Sequence, residues 1–265
     1  MSTLRKVRHR LGKTSLHKPL AWVRHRNLIG SDVFVASYPR SGNTWLRFML
    51  FEILLGQSPS FNHVDKVVPD IGKQGKASPV LPNGGRLIKT HEPYRTEYGK
   101  AIYLVRDARD VALSEFAYQK ALGLAGDDFD KFLARFLRGT VNPFGSWTDH
   151  VNSWVRAKDE GRAQILLVRF DEMRREPEVS LGKMMEFLEV PVAAEVIQRA
   201  VANNSVQKMR DQEKKNPVKA SAKGRFIGSG AVEGWREKFT ETQAQRVQQS
   251  AGNILSRLGY STVGS

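Results

Sequence analysis

Short apolar runs alternate along the chain with longer segments typical of helices. The apolar runs are rich in valine, isoleucine and leucine and predict buried strands over 33–37, 86–90, 101–106 and 164–170. The remaining segments predict helices over 44–55, 107–121, 127–138, 145–158, 179–188, 192–202 and 240–258. Residues 208–230 are basic and rich in Gly and Ser, which predicts a loop. Strands separated by helices form a parallel sheet covered on both faces, so we expect an α/β fold.

The composition limits the size of the fold and the class of its partners. With 265 residues, 40% of them hydrophobic, the chain can form one large domain, or at most two small ones. We expect a basic N-terminal arm over residues 1–30 and a single domain over 31–265. The 42 Lys and Arg outnumber the 27 Asp and Glu, which gives a net charge of +15. A protein with such a charge is suited to bind nucleic acid, an anionic membrane surface or a phosphate-rich ligand.

Three features that the sequence lacks limit the cellular location that we expect. The chain has no cysteine, which excludes disulfides and thiolate metal sites and favours a reducing, cytoplasmic location. The most apolar segment, 48–56, contains Glu52 and is too short to span a bilayer. In a signal peptide a long apolar stretch follows the basic N-terminus, and this sequence has none there. We therefore expect no transmembrane segment. Peripheral contact of the arm with anionic lipid or an acidic glycan stays open.

A polar turn separates the first predicted strand from the first predicted helix. It consists of Tyr38, Pro39, Arg40, Ser41, Gly42, Asn43 and Thr44. The first N–H groups of a helix lack internal partners and carry partial positive charge, so the turn predicts a phosphate site. A simple packing turn is the alternative. The nucleotide-triphosphate loop G-x-x-x-x-G-K-[ST] has a first Gly and a Lys that are missing here, which disfavours a kinase or GTPase.

Two further predicted strands end in residues suited to an anion. Lys89 and His91 occupy alternate positions, so both point to one side. Ligands of parallel α/β sheets bind beyond the carboxyl ends of the strands, where a histidine can act as a general base. Arg106 ends the next strand, and Ser114 lies two helical turns later, so both could reach one phosphate. The plainer alternatives are a structural histidine and surface ion pairs around Arg106.

These stretches together resemble the cytosolic-type sulfotransferases, which use 3′-phosphoadenosine 5′-phosphosulfate (PAPS). The family's Y-P-K-S-G-T-T-W corresponds to residues 38–45, and its K-T-H-x-P corresponds to 89–93. Its R-x-x-x-D-V-A-x-S corresponds to 106–114. The resemblance continues through 144–151 and 170–173 to 230–240, and it covers about residues 30–245.

The resemblance implies a P-loop-like parallel β-sheet flanked by helices, and transfer of a sulfuryl group from PAPS to an acceptor hydroxyl. It places at the nucleotide the residues Arg40, Ser41, Gly42, Asn43 and Thr44 (5′-phosphosulfate), Trp45 (adenine), and Arg106 and Ser114 (3′-phosphate). His91 would take the acceptor's proton, and Lys89 and Arg40 would stabilise charge on the transferring group and the leaving phosphate. Because positioning and fixed cations accomplish such a transfer, no metal is expected.

Three positions near the predicted adenine and phosphosulfate sites depart from the family pattern. Arg40 replaces a lysine, so a rigid fork stands where the family has a mobile point charge. Phe170 replaces a tyrosine that contacts adenine; it loses the hydroxyl and keeps a stacking face. The family's T-S-F is here Asn204-Ser205-Val206, so Ser205 is retained but one adenine contact is weakened.

The predicted 3′-phosphate loop departs most from the family. The family's R-K-G corresponds here to Gly228-Ser229-Gly230, which has no cationic side chain. Ser229, the backbone at Gly230 and the upstream Arg225 are candidate substitutes. The surrounding run, with Lys214, Lys215, Lys219 and Lys223, is either a solvated loop or a lid over the donor. The C-terminal dimer motif keeps only Thr240, so the oligomeric state stays open.

Two other functions and the identity of the acceptor remain open. A nucleotide or sugar kinase would need magnesium and ATP. A nucleic-acid-binding module would fit the charge, but no helix-turn-helix, finger or aromatic-rich sheet motif supports it, so we expect no nucleic-acid partner. The loops predicted to contact the acceptor, 69–83 and 121–128, are polar and contain Gly or Pro. They favour a carbohydrate or a polar natural product over a phenol, so the expected partner is a small molecule or a glycan.

Overall fold

The computed structural model describes residues 23–215 and 227–261, and a parallel β-sheet lies at its centre. The strands of the described chain are β1 (Val33–Ser37), β2 (Leu87–Thr90), β3 (Lys100–Val105) and β4 (Gln164–Arg169). They lie in the order β2-β1-β3-β4, and each neighbouring pair is parallel. All residues of β1 are buried, since helices cover both faces of the sheet. The predicted α/β fold with a parallel sheet is confirmed.

Helices connect the strands and follow the last one. Those of the described chain are α1 (Asn43–Leu55), α2 (Phe61–Val67), α3 (Ala108–Ala121), α4 (Phe129–Leu137), α5 (Trp147–Asp159), α6 (Phe170–Arg175), α7 (Pro177–Phe187), α8 (Ala194–Asn203), α9 (Val206–Lys215) and α10 (Glu241–Arg257). Several begin at a capping side chain; for example, Thr240 and Gln243 form a reciprocal capping box at α10. Thr240, the residue retained from the dimer motif, therefore caps a helix of its own chain.

The sheet separates two hydrophobic clusters. Because successive residues of a strand point to opposite faces, Phe34 and Ala36 of β1 enter one cluster, and Val33 and Val35 enter the other. The first cluster contains the buried residues of α3, α4, α5 and α10. The second contains those of α1, α2, α7 and α8. All strands and the helices thus form one layered domain whose strand ends lie at a common edge.

The structure corrects three predictions of secondary structure. The loop predicted over 208–230 begins as a helix, α9, because Met209 and Glu213 bury one face of a segment made mostly of good helix formers. Phe170 starts α6 and does not end the preceding strand. The short helix α2 was not predicted from the sequence. Lys219, Lys223 and Arg225, to which the sequence assigns loop or phosphate roles, lie outside the described residues.

The end of the predicted N-terminal arm contacts the domain. His25 is buried, and its Nε2 lies 2.8 Å from the hydroxyl of Tyr98. Arg24 forms an ion pair with Glu92, next to His91 in the chain. Residues 1–22 of the arm lie outside the described part of the chain. Among the described helices, none is long and apolar enough to cross a membrane.

Candidate active site

The turn between β1 and α1 is shaped by a glycine and braced by an asparagine. Gly42 precedes α1 with a φ of 97°, and a Cβ there would lie 2.6 Å from ring carbons of Phe170. Only glycine therefore fits this approach. The side-chain amide of Asn43 donates to the carbonyl of Val35 (3.1 Å) and to the hydroxyl of Ser37 (3.2 Å). The turn is thus held with the start of α1 facing the cleft.

The hydroxyl and indole groups of this turn have different surroundings. Ser41 is buried, and its Oγ has no hydrogen-bond partner among the described residues. Thr44 lines the cleft in the first turn of α1. Trp45 also lines it, while its Nε1 donates to the carbonyl of Asn204 at 2.8 Å. A buried hydroxyl without a partner, beside a helix N-terminus, fits a site for an anion that accepts hydrogen bonds.

His91 is held in one tautomer beyond the end of β2. Its Nδ1 lies 2.7 Å from the carbonyl oxygen of Ser37, which can only accept, so Nδ1 carries the proton. The backbone carbonyl of His91 accepts from Nε2 of the buried His150 at 3.1 Å. Burial, reinforced by the nearby Lys89, lowers the pKa of His91 to about 3. At neutral pH the imidazole is therefore neutral, and its Nε2 can accept a proton.

Lys89 has an acidic partner that the sequence analysis did not identify. Its ammonium lies 2.9 Å from a carboxylate oxygen of Asp70, and Lys89 lines the cleft. Burial lowers the pKa of Lys89, and Asp70 opposes that shift. Burial likewise raises the pKa of Asp70, but the charge and hydrogen bond of Lys89, together with His91 and Arg47, hold this pKa well below its usual range. The backbone N–H of Lys89 donates to the carbonyl of Pro69, and the N–H of Ile71 donates to the carbonyl of Lys89. These bonds bring Asp70 alongside β2, which no local pattern indicates.

Arg106 lies within the cleft wall and is not part of a surface ion pair. It is 8% exposed, and its guanidinium carbon lies 4.6 Å from the centre of the Phe170 ring. Its Nη1 donates to the carbonyl of Arg40 (3.1 Å), and its Nη2 donates to the carbonyl of Ala231 (2.8 Å). Its buried Nε has no partner among the described residues. The nearby ion pair is instead Arg109 with Asp107, and it is buried as well.

The side chain of Arg40 points towards α3. Arg40 has a φ of 67°, an uncommon left-handed conformation for a residue with a Cβ. Its Nε donates to Oγ of Ser114 at 3.2 Å, and its guanidinium carbon lies 4.7 Å from the centre of the Tyr118 ring. Its Nη2 lies 4.0 Å from where a Cβ on Gly228 would stand. Arg40, which the sequence assigns to the 5′-phosphosulfate, therefore contacts Ser114 and lies near Gly228, which the sequence places at the 3′-phosphate.

One cleft of about 560 Å³ brings most of the predicted residues together. Those lining it are Arg40, Gly42, Asn43, Thr44, Trp45, Lys89, His91, Arg106, Ser114, Phe170, Ser229 and Gly230. Ser41 lies buried behind this surface. Ser205 does not line the described cleft; it is exposed, and its Oγ accepts from the backbone N–H of Lys208 at 3.3 Å. Arg225 lies outside the described residues.

The cleft also contains residues that the sequence analysis missed. They include Asp110, Glu115, Tyr118, Asn142, Phe144, Arg174 and Lys238. Phe144 stands next to the base, with its ring centre 5.8 Å from that of His91. Of the two loops predicted to contact the acceptor, 121–128 contributes Ala121, and 69–83 contributes no residue to the described lining. No group of three or more described His, Asp and Glu residues could hold a metal ion.

Known proteins with similar sequences and folds are sulfotransferases or their relatives. Dog (Canis lupus familiaris) sulfotransferase 1B1 is 28% identical over 240 residues, which cover 81% of this chain and 80% of that protein. Mouse (Mus musculus) sulfotransferase 2B1 is 28% identical over 238 residues, which cover 83% of this chain and 70% of that protein. The crystal structure of mouse sulfotransferase SULT7A1 complexed with PAP matches with a TM-score of 0.68 at 24% identity. It covers 92% of this chain and 91% of the other.

A second structure and a family profile agree with these matches. Retinol dehydratase, solved with androsterone and the inactive cofactor PAP, matches with a TM-score of 0.66 at 22% identity, over 88% of this chain and 83% of the other. The profile of the sulfotransferase domain matches residues 30–259, which is most of the chain. The chain belongs to the sulfotransferase domain family.

Proposed function

We propose that this sulfotransferase moves a sulfuryl group from PAPS to an acceptor hydroxyl, with His91 as the general base. The observation that carries the proposal is the convergence of His91, Lys89 and the start of α1 on one cleft. The solved structures of SULT7A1 and retinol dehydratase contain PAP, adenosine 3′,5′-bisphosphate, which supports the same nucleotide here.

The residues of the cleft fit a nucleotide with phosphates at both ends. The buried Oγ of Ser41 and the buried Nε of Arg106 lack partners among the described residues, and both can donate to phosphate oxygens. The N–H groups at the start of α1 add donors at the proposed 5′ end. Phe170, whose ring packs against Gly42 and lines the cleft, offers an apolar face for the adenine base. PAPS, when bound, supplies the activated sulfuryl group.

The backbone carbonyl of Ser37 supports Nε2 of His91 as the atom that takes the proton. Ser37 fixes the proton on Nδ1, so Nε2 has a free lone pair for the acceptor hydroxyl. Lys89, held by Asp70, would place a cation beside the transferring group. A cation that is already in position stabilises the negative charge of the transition state most effectively. Neither step requires a metal, and the absence of metal dependence is part of the proposal.

The acceptor is proposed to carry its hydroxyl on a carbohydrate or another polar natural product. The lining of the cleft combines polar groups, Asn142 and Glu115, with the smaller apolar surfaces of Ala117 and Ala121. Phe144 is the aromatic neighbour of the base, and one ring supports a sugar face as well as an arene. A cytoplasmic location belongs to the same proposal and rests on the lack of cysteine.

The test is transfer of label from radiolabelled PAPS to a panel of sugars, polar natural products and phenols, in the presence of EDTA. We expect label on a sugar or polar hydroxyl, with activity unchanged after removal of divalent metal. Thermal stabilisation by adenosine 3′,5′-bisphosphate should exceed that by ATP with magnesium or by DNA. Loss of transfer with EDTA and recovery with magnesium would contradict the proposed independence from metal. Stabilisation by DNA alone would favour a nucleic-acid-binding module.

A further inference from the structure

Arg174 of α6 lies against the loop that the sequence places at the 3′-phosphate. That loop, residues 228–230, lines the cleft but carries no charged side chain. The Nε of Arg174 is 3.7 Å, and its Cζ 3.9 Å, from where a Cβ on Gly230 would stand. Arg174 lines the cleft as well, and it follows the stretch 170–173, so none of the sequence motifs includes it. A cation from another segment therefore stands beside the loop that lacks one.

The charge of Arg174 has no acidic partner among the described residues. Both acids of its own helix face other arginines: Asp171 lies 2.6 Å from Arg169 and 4.0 Å from Arg175. Glu172 lies 3.7 Å from Arg169. The stretches 1–22, 216–226 and 262–265 contain no Asp or Glu. Because a guanidinium stays protonated in proteins, an anion bound in the cleft is the group best suited to balance this charge.

The contact that Arg174 does make is with an aromatic ring. Its guanidinium carbon lies 5.1 Å from the centre of the Trp45 ring, at the residue that the sequence assigns to adenine. The ring restrains the guanidinium by a cation–π contact but offers it no oxygen acceptor, so its N–H groups stay available to a ligand. Arg174 is thus held between the proposed adenine site and the uncharged loop.

Arg106 approaches the same part of the chain from the end of β3. Its Nη2 donates to the carbonyl of Ala231 at 2.8 Å, one residue after Gly230, and its buried Nε has no partner among the described residues. Two guanidiniums, from the ends of two neighbouring strands, therefore flank residues 230–231. A phosphate monoester carries up to two negative charges at neutral pH and accepts hydrogen bonds from guanidinium forks, so it suits such a pair.

We propose that Arg174, together with Arg106, holds the 3′-phosphate of the nucleotide and supplies the charge that loop 228–230 lacks. This inference rests on the proposed function, in which PAPS is the donor.

The test measures binding of two nucleotides to the full-length protein by calorimetry. Arg174→Gln removes the charge but keeps much of the stem. It should weaken adenosine 3′,5′-bisphosphate by about 10- to 150-fold, the range for one charge-assisted hydrogen bond. It should change adenosine 5′-monophosphate by less than about 3-fold. Arg174→Lys keeps the charge without the fork and should recover part of the loss. Arg175→Gln, the same change at the neighbouring and more exposed arginine, is the matched control and should change neither affinity.

A second pair of variants tests whether Arg174 replaces the loop cations. Ser229→Lys returns a cation to the loop. In the Arg174→Gln background it should recover at least about 5-fold of the bisphosphate affinity, and the gain in the wild-type background should be clearly smaller. An equal gain in both backgrounds would show that Arg174 does not occupy the place of the loop cations.

The remaining outcomes separate this inference from the proposed function. Equal weakening of both nucleotides by Arg174→Gln would place Arg174 at the base beside Trp45 and overturn its role at the 3′-phosphate. Unchanged affinity for both would remove Arg174 from the nucleotide site. Either result leaves PAPS as the donor. A wild-type protein that binds the monophosphate as tightly as the bisphosphate would overturn the PAPS assignment and this inference together.

Discussion

In the turn between β1 and α1, neighbouring residues provide the groups that could donate hydrogen bonds to a phosphate. The region around Arg106 and Ser114 is instead assembled from distant segments. Gly42 shapes the turn by its left-handed backbone conformation, and Asn43 by hydrogen bonds to Val35 and Ser37 in the same stretch of chain. Arg106, by contrast, binds backbone carbonyls 66 and 125 residues away. A site made of local backbone can be recognised from a short motif. A site made of converging side chains can move its charge from one segment to another without leaving a motif.

Replacing the proposed base has the largest expected effect. His91→Ala should lower turnover by about 100-fold or more, the usual contribution of a positioned base. Affinity for adenosine 3′,5′-bisphosphate should stay within about 3-fold, because the turn proposed to bind the 5′ end is intact. Turnover with radiolabelled PAPS and calorimetry provide the two measurements. His63→Ala, an exposed histidine on α2, is the control. Near-wild-type turnover in His91→Ala would contradict the role of His91.

The assembled region is tested next through Arg106. Arg106→Ala should weaken adenosine 3′,5′-bisphosphate by about 10- to 150-fold and the 5′-monophosphate by less than about 3-fold. It should also lower Tm, because two backbone carbonyls lose charged donors. Calorimetry and thermal unfolding measure the two effects. Arg106→Lys keeps the charge but not the fork, and should recover only part of either. If both nucleotides weaken equally, Arg106 only braces the backbone.

The pH dependence of kcat/KM for PAPS tests the environment of His91. A base acts when deprotonated, so activity falls as the pH drops through its pKa in the free enzyme. With the pKa of His91 lowered to about 3, kcat/KM should stay level from about pH 8 to pH 5. A histidine with the ordinary pKa near 6.5 would lose about 30-fold over that range. Bound anions favour the protonated form, so kcat should decline at a higher pH than kcat/KM. An acid limb of kcat/KM near pH 6.5 would contradict the burial effect.

The smallest expected effect is at Ser114. Ser114→Ala removes one donor that carries no charge of its own, which should weaken adenosine 3′,5′-bisphosphate by about 2- to 10-fold and leave the 5′-monophosphate unchanged. Because Arg40 donates to this hydroxyl, the loss should be smaller in the Arg40→Ala background. Calorimetry on the four proteins of the cycle measures the coupling. Equal losses in both backgrounds would show that Ser114 and Arg40 act independently.

The sequence by itself determined the fold class, the strands and the turn before α1. These features depend on local apolar runs, on glycine at one backbone conformation and on spacing within a strand, all of which are present in a short window. The basic composition of 208–230 predicts a loop, but the segment begins as the helix α9 because Met209 and Glu213 are buried on one face. Burial of that face depends on partners elsewhere in the chain.

Only the tertiary structure decided which charged groups meet in the cleft. Asp70 reaches Lys89 through strand-like contacts beside β2, and Arg40 turns towards Ser114 and Gly228 instead of α1. The sequence identified Lys89, Arg40 and Ser114 as functional candidates, but not these partners. Hydrogen bonds and ion pairs between side chains depend on distances in the folded chain, and no periodicity or local motif encodes those distances.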